Sequence, residues 1–372
     1  MISVAEAATI TSLSIFLSDE VRTAPLMIGL FFAGRAAAEI LADLAVGIIS
    51  DNFRERRKLL AICAAAASAG SLCYMSSRDY LVLVSLGSFL FGVGGLAVSQ
   101  LFAYTREFAA SRRHDVTFFN SALRSVGSAA WIVGPLGGFL ALGRFGFTAL
   151  YAGCAVLFCT AAILCRWGLP NVAATAAPAA STRDVLKRVD TRSKLLLGTI
   201  ALLMVTNMAY QVNISLFLTK DLGLPATFTG VVLGASAALE VGLMLVFGAY
   251  ANRIGRWRLV LLSTVCATVF FVSLPLATTP AAVLLLQILN AGWTAVILSI
   301  PVVILQDRMP SRPGTASALY AGAYKSGMLL GSGVAGVGAG LAGFTNLFWM
   351  CAACTLVAAV LMIIGTTVEE QP

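Results

Sequence analysis

Apolar stretches long enough to cross a bilayer recur twelve times along this chain, and no other feature limits its fold so tightly. A hydrocarbon core takes about 20 mostly apolar residues per helical pass. Such stretches lie near 1–17, 25–49, 59–76, 80–103, 117–141 and 146–166, then near 195–218, 226–250, 259–278, 281–305, 315–341 and 345–366. Short polar connections and one longer linker fill the rest. Composition agrees: 59% apolar residues and 11% charged over 372 residues exclude a soluble globular chain. In lipid every backbone polar group must be paired internally, so runs of this length are helices. The expectation is an all-α integral membrane protein of twelve transmembrane helices.

Lysine and arginine fall unevenly along the connections. Those after passes 2, 4, 6, 8 and 10 hold 18 of the 25; the opposite face holds four, Arg22, Arg78, Arg144 and Lys220; Arg35, Arg124 and Lys325 sit inside passes. The positive-inside rule then puts both termini in the cytoplasm. The net charge of +8 reflects that topology and not nucleic-acid binding. All eight cysteines fall in apolar stretches, where they act as small hydrophobes, and the CxxC at Cys351 to Cys354 lies mid-pass without further ligands. The single histidine, His114, sits in a basic loop. No metal and no cofactor are expected, and no nucleophile, base and orienting group stand at a spacing that suggests an enzyme.

Residues 168–193 begin Ala/Thr/Pro-rich and end basic, which reads as a cytoplasmic linker between a bundle over 1–167 and another over 194–372. Sliding one half on the other by 201 residues gives nine identities between 14 and 52 without a gap. Ser14–Leu17 meets Ser215–Leu218, Gly29 meets Gly230, Glu39 meets Glu240 and Gly47 meets Gly248. Two pseudosymmetric six-helix bundles follow from such a duplication.

Two connections carry related motifs. GIISDNFRERRK runs from Gly47 through Asp51, Arg56 and Arg57 to Lys58; GAYANRIGRWR runs from Gly248 through Asn252, Arg253, Gly255 and Arg256 to Arg258. Both resemble the major facilitator loop signature G-x-x-x-D-R-x-G-R-R, a tight turn whose basic side chains latch helix ends. Plain positive-inside anchoring is the alternative. Pass 5 contains AWIVGPLGG, which resembles the G-x-x-x-G-P-x-x-G-G of facilitator exporters, with Ala130 at its first glycine, Gly134 and Pro135 in place and the pair Gly137 and Gly138 one residue early. Small residues there also suit close helix packing. The literal G-x-G-x-x-G at Gly331, Gly333 and Gly336 lies in a pass with no strand before it, so it reads as packing and not as dinucleotide binding.

Polar side chains recur at helical spacing in passes 7 and 10: Asn207, Tyr210 and Asn213, then Gln287, Asn290 and Trp293. Amides and phenols in hydrocarbon demand partners, so they face a water-filled cavity or other helices. Amides beside aromatic rings suit sugars, whose hydroxyls want paired donors and acceptors. Interhelical bonding alone is the other reading. Gln100, Tyr104, Thr11, Tyr320 and Tyr324 are weaker candidates of the same kind.

SIFLSDEV, SDNFRERRK, AWIVGP, SLFLTKDLGLP, GASAALEVG and QDRMP, spread from Ser14 to Pro310, resemble the bacterial sugar efflux transporter family of the major facilitator superfamily. The resemblance implies a proton-driven antiporter of the bacterial inner membrane that exports small sugars or glycosides by alternating access. It also implies a cavity lined by passes 1, 4, 7 and 10, a monomer, and no nucleic-acid partner. A multidrug or amphiphile exporter is the rival within the superfamily; a non-transporting membrane sensor is the rival outside it, and would need an output domain. Met1 lies inside pass 1, which is about 17 residues against 24 in its repeat partner, so a missing N-terminal stretch is expected.

Charges inside the passes complete the candidate machinery. Arg35, Glu39 and Asp43 share one face of pass 2, Glu240 repeats Glu39, and Arg124 and Lys325 also stand 201 apart. In the facilitator fold pass 2 borders pass 11 and pass 5 borders pass 8. Two ion pairs are therefore expected, Glu39 with Lys325 and Glu240 with Arg124, as proton-coupling elements. Static pairing, or a local Arg35 to Glu39 pair, are the alternatives.

Overall fold

The computed structural model describes residues 1–49, 56–111, 116–170, 189–309 and 313–367, and among these the chain is helical with no strand. Asp51, His114, most of the linker and Pro310 lie outside the described residues. Helix α1 runs Ile2–Ile15 and widens into a π-helical turn, Phe16–Glu20. Then come α2 (Pro25–Ile49), α3 (Arg56–Ser76) and α4, which opens at Tyr80–Val82, passes a π-helical turn at Leu83–Gly87 and continues over Ser88–Ser111.

Val116–Ile163 and Pro313–Thr367 are helical over 48 and 55 residues, each interrupted by one glycine: Gly146 (φ 76°, ψ 178°) and Gly343 (φ 80°, ψ 169°). That backbone region is open essentially to glycine alone. The chain doubles back at each. Before Gly146 the chain climbs alongside α1, with Gly134 against Val4 and Ala7 and Gly138 against Ala8. After it the chain returns, with Tyr151 on Phe16 and Cys154 beside Thr9. Likewise Gly338 lies against Leu347 and Met350, which a straight helix would carry far away. These segments are α5 (116–145), α6 (147–168), α11 (313–342) and α12 (344–367). Between them lie α7 (Thr191–Leu216, with a π-helical turn Phe217–Asp221), α8 (Ala226–Ile254), α9 (Arg256–Ser273) and α10 (Pro280–Arg308). Ten helical stretches among the described residues are long and apolar enough to cross a bilayer, and two of them double back at Gly146 and Gly343, so this is a multi-pass membrane protein.

Two compact units emerge: Met1–Ala179 with Pro225–Gly234, and Ala180–Leu224 with Ala235–Pro372. The start of α8 groups with the first unit because Gly230 packs on the Pro135 carbonyl, Leu136 and Phe139 of α5. Internally the units repeat one another, in three registers. The π-helical turns at Phe16 and Phe217 stand 201 apart, as do the positive-φ residues Arg22 (58°) and Gly223 (67°). Helices α3 and α9 start at Arg56 and Arg256, 200 apart. The reversing glycines Gly146 and Gly343 are 197 apart, and the ring pair Phe16–Tyr151 at 5.0 Å recurs as Phe217–Phe348 at 5.2 Å. In that last register Arg124 matches Ala321 and Lys325 matches Ser128. The cations thus stand one helical turn out of equivalence, a correction to the shared spacing of 201.

Candidate functional site

The second unit holds a connected network of neutral polar side chains. Helices α8 and α10 each present an i, i+4 ladder to the other, Ser236 with Glu240 and Asn290 with Thr294. Asn290 Nδ2 donates to Ser236 Oγ at 3.0 Å and to Gln287 Oε1 at 3.1 Å. Tyr210 of α7 donates its hydroxyl to the same Gln287 oxygen at 3.1 Å, and Gln287 Nε2 donates to the Val283 carbonyl. Thr294 stands within hydrogen-bonding reach of the Glu240 carboxylate. Asn290 is 3% exposed, yet its Oδ1 finds no partner among the described residues. A buried acceptor left open costs about 1–3 kcal/mol and marks a place where a ligand hydroxyl would be welcomed.

Other residues of the two triplets lie differently. Asn213 donates to the Ala209 carbonyl and across to Ala335 of α11, so it joins helices. Asn207 is half-buried and accepts from Gln211 Nε2 at 2.8 Å; Gln211 had no part in the sequence reading. Trp293 is fully buried, 6.2 Å from Phe271, and its Nε1 has no hydrogen-bond partner among the described residues. Tyr320 donates to the Ile297 carbonyl and its ring lies 6.3 Å from Tyr324. Thr11 donates to its own helix at Ala7. Ser236 and Thr294 escaped sequence reading because a hydroxyl in a helix satisfies itself on the preceding turn and carries no signal.

Gln100 and Tyr104 belong to a layer of charge at the ends of the helices. Arg56 pairs with Glu107 at 2.7 Å and donates to Gln100 Oε1 at 2.8 Å, while the Tyr104 hydroxyl donates to the Pro170 carbonyl. The second unit repeats this 200 residues on: Arg256 pairs with Asp307 and donates to Asn252 Oδ1. Gly255, at φ 90°, makes the turn from α8 into α9 that only glycine adopts without strain. Arg253 lies over Tyr250 at 5.7 Å, and Gly248 has open space around it. Asp190 caps α7 through the Ser193 N–H and pairs with Arg308 at 3.0 Å. Burial pushes its carboxyl up, but the Ser193 bonds and the Arg308 charge outweigh that and hold it below the usual range. The Gly47 side of the first motif is helical up to Ile49; Asp51 lies outside the described residues.

The motif in α5 is built for contact. A Cβ at Gly134 would stand 2.7 Å from Ala7 Cβ and 2.8 Å from the Val4 carbonyl, and one at Gly138 3.0 Å from Ala8 Cβ; Gly137 meets nothing within 4 Å. Pro135, buried, turns its carbonyl toward Gly230. Gly327 and Gly331 pack in the same way on Ala201 and Val205 of α7.

In the first unit, Arg35 is 5% exposed, with its guanidinium 5.0 Å above the Phe91 ring and Nη1 without a hydrogen-bond partner among the described residues. Glu39 rests against Gly95 of α4, and Glu6 of α1 lies within electrostatic reach of both Arg35 and Glu39. No ion pair joins Arg35 to Glu39 among the described residues. Asp43 and Lys325 both have interaction partners. The Arg124 side chain lies outside the described residues.

The major facilitator superfamily model matches residues 1–332 and 195–372. Over 365 residues, 98% of this chain and 90% of the relative, the chain is 34% identical to sugar efflux transporter B of Salmonella typhimurium. It is 31% identical to sugar efflux transporter A of Escherichia coli, across 96% of this chain and 92% of that one. Sugar efflux transporter C of Escherichia coli shares 33% over 93% and 89%. Among solved structures, the nucleoside transporter NupG superposes with a TM-score of 0.79 at 14% identity, covering 100% of this chain and 97% of that one. A bacterial homologue of the lysosomal transporter Spinster, inward-facing and occupied, superposes at 0.77 and 10% identity, covering 98% and 94%. Those likenesses show the fold, and the sequence relatives show the family. With the family model matched along the chain and relatives above 30% identity over nearly its whole length, the chain belongs to the sugar efflux transporter family of the major facilitator superfamily.

Proposed function

We propose that the protein exports small sugars or glycosides by alternating access, in a bacterial inner membrane, as a monomer with both termini cytoplasmic, driven by protons moving inward. The network around Asn290 carries the sugar reading: Tyr210, Ser236, Gln287 and Asn290 are neutral donors and acceptors, and Asn290 Oδ1 is open. A sugar hydroxyl both donates and accepts, so it fits such a set. An amphiphilic cation would instead be drawn to acids and aromatic faces. The names of the sequence relatives support the same reading.

For coupling we assign Glu39 with Lys325 and Glu240 with Arg124 as ion pairs between the two halves. A carboxylate beside a cation stays ionised; separating the two as the halves rock raises its proton affinity, which links protonation to the direction the cavity faces. Uptake of labelled glycosides into inverted vesicles, with and without an imposed proton gradient, tests the whole proposal. Asn290→Leu removes the open Oδ1 from a bound sugar hydroxyl, at roughly 1–3 kcal/mol, so half-saturation should rise about fivefold to 150-fold. Glu240→Gln should abolish gradient-driven accumulation and spare counterflow. Unchanged affinity in Asn290→Leu counts against the sugar site, and transport of amphiphilic cations without sugars installs the rival.

A further inference from the structure

In the register of 201 that relates α1–α2 to α7–α8, Glu6 matches Asn207, Arg35 matches Ser236 and Glu39 matches Glu240. The positions that are amide, hydroxyl and acid in the second unit are therefore acid, base and acid in the first. Arg35 is buried, and Glu6 and Glu39 are half-buried. Arg35 is 5% exposed, spread over Phe91 at 5.0 Å, with Nη1 unpartnered among the described residues. Glu6 lies within electrostatic reach of Arg35 and Glu39. A Cβ on Gly95 would lie 3.2 Å from the Glu39 carboxyl carbon and 3.4 Å from its Oε2, so this glycine makes the room the carboxylate occupies.

We infer that Glu6, Arg35 and Glu39 form the proton-carrying site of the first unit, with Glu6 as the acid that takes the proton and Arg35 as its fixed counter-charge. The inference rests on the proton-coupled reading above and names the residues that carry it out. Two carboxylates around one guanidinium leave a net negative charge, which a low-dielectric site relieves by binding one proton. While Lys325 pairs with Glu39 the local charge balances and no proton is needed. When rocking of the halves removes that lysine, Glu6 and Glu39 share Arg35 alone, and one proton binds a carboxylate oxygen. On return of the lysine the proton leaves to water. Other titratable groups facing α1 or α2 among the described residues are Tyr74 of α3, whose buried hydroxyl has no partner there; Arg78, which lies over the Phe16 ring and pairs with Glu20; Tyr80, whose hydroxyl donates to the Met27 carbonyl; and Tyr151 and Cys154 of α6, which meet Ser12 and Thr9 further along α1. Asp43, one turn beyond Glu39, also has an interaction partner.

The test compares wild type, Glu6→Gln and Glu6→Asp in proteoliposomes, each measured for pH-gradient-driven accumulation of a labelled glycoside and for gradient-free sugar counterflow. Glu6→Gln should lose at least tenfold in accumulation and keep counterflow within about twofold, which also certifies that it folds. Glu6→Asp should restore accumulation with its pH profile displaced, because the shorter acid meets Arg35 at a different separation. Accumulation by Glu6→Gln at the wild-type level overturns the assignment. So does a Glu6→Asp protein that exchanges sugar but never accumulates it. If wild type itself accumulates nothing under a proton gradient, or a sodium gradient at constant pH serves instead, it is the proton-coupled reading that fails.

Discussion

At the scale of single residues, the repeat exposes a flaw that the molecule tolerates. Arg22 holds φ at 58° where its counterpart is Gly223. A side chain in that region costs about 1–2 kcal/mol, partly offset by the stiffer unfolded chain that a non-glycine residue provides. Arg22→Gly should therefore stabilise the protein by about 0.5–1 kcal/mol in reversible unfolding in mild detergent; a loss of stability would show that the exposed Arg22 makes a contact worth more than its strain. Asp190 carries a pH signature. Its carboxyl is held below the usual range in the folded state, so its contribution is full above the unfolded value near 3.9 and is lost as pH falls through the lower folded value. Asp190→Asn keeps the helix cap and loses the Arg308 pair, and Asp190→Ala loses both. Asp190→Ala should then be the less stable of the two at pH 7 by about 0.5–1 kcal/mol, and the difference from wild type should shrink below pH 4 for Asp190→Asn. Equal stability of the two variants would remove the cap from the account.

At the scale of helices, association in lipid depends on close packing and not on expelling water, so glycines decide it. Gly134→Ala pushes a methyl into Ala7 and the Val4 carbonyl and should cost about 1–3 kcal/mol, whereas Gly137→Ala enters open space and should be neutral or slightly stabilising. Thermal unfolding of the pair in detergent checks both, and a neutral Gly134→Ala would mean that α1 and α5 shift apart freely. The passes themselves were legible in sequence, because a run of about 20 apolar residues has few other uses. Their register was not. A gapless shift of 201 is right for α1–α2, but connections of unequal length change it to 200 and then 197, and only the reversing glycines and ring pairs reveal that. The equal spacing of Arg124 and Lys325 was therefore a coincidence one turn wide. Gln100 misled for a related reason: an amide in an apolar run advertises a partner but not which one, and Arg56 claims it.

At the scale of the whole molecule, the two repeats of one six-helix design carry different side chains at matched positions, Glu6 and Arg35 in one against Asn207 and Ser236 in the other. The amides and phenol of the second unit were readable as partnered groups since polar side chains in hydrocarbon must be used. Glu6 was visible as an acid, but its neighbours Arg35 and Glu39 come from the next helix, and nothing in spacing along the chain brings them together. Under the proposed reading, neutral hydrogen-bonding groups of the second unit hold the cargo, and the charged groups of the first unit, together with Glu240, couple its movement to the proton. Sugar-driven proton movement tests this most directly. Proteoliposomes loaded with glycoside and a trapped pH dye, then diluted into sugar-free buffer, should acidify inside as sugar leaves, in proportion to the sugar lost, and the acidification should vanish in Glu6→Gln while sugar exchange persists. Sugar leaving with no change of internal pH, or protons that move against amphiphilic cations and never against sugar, would contradict the account.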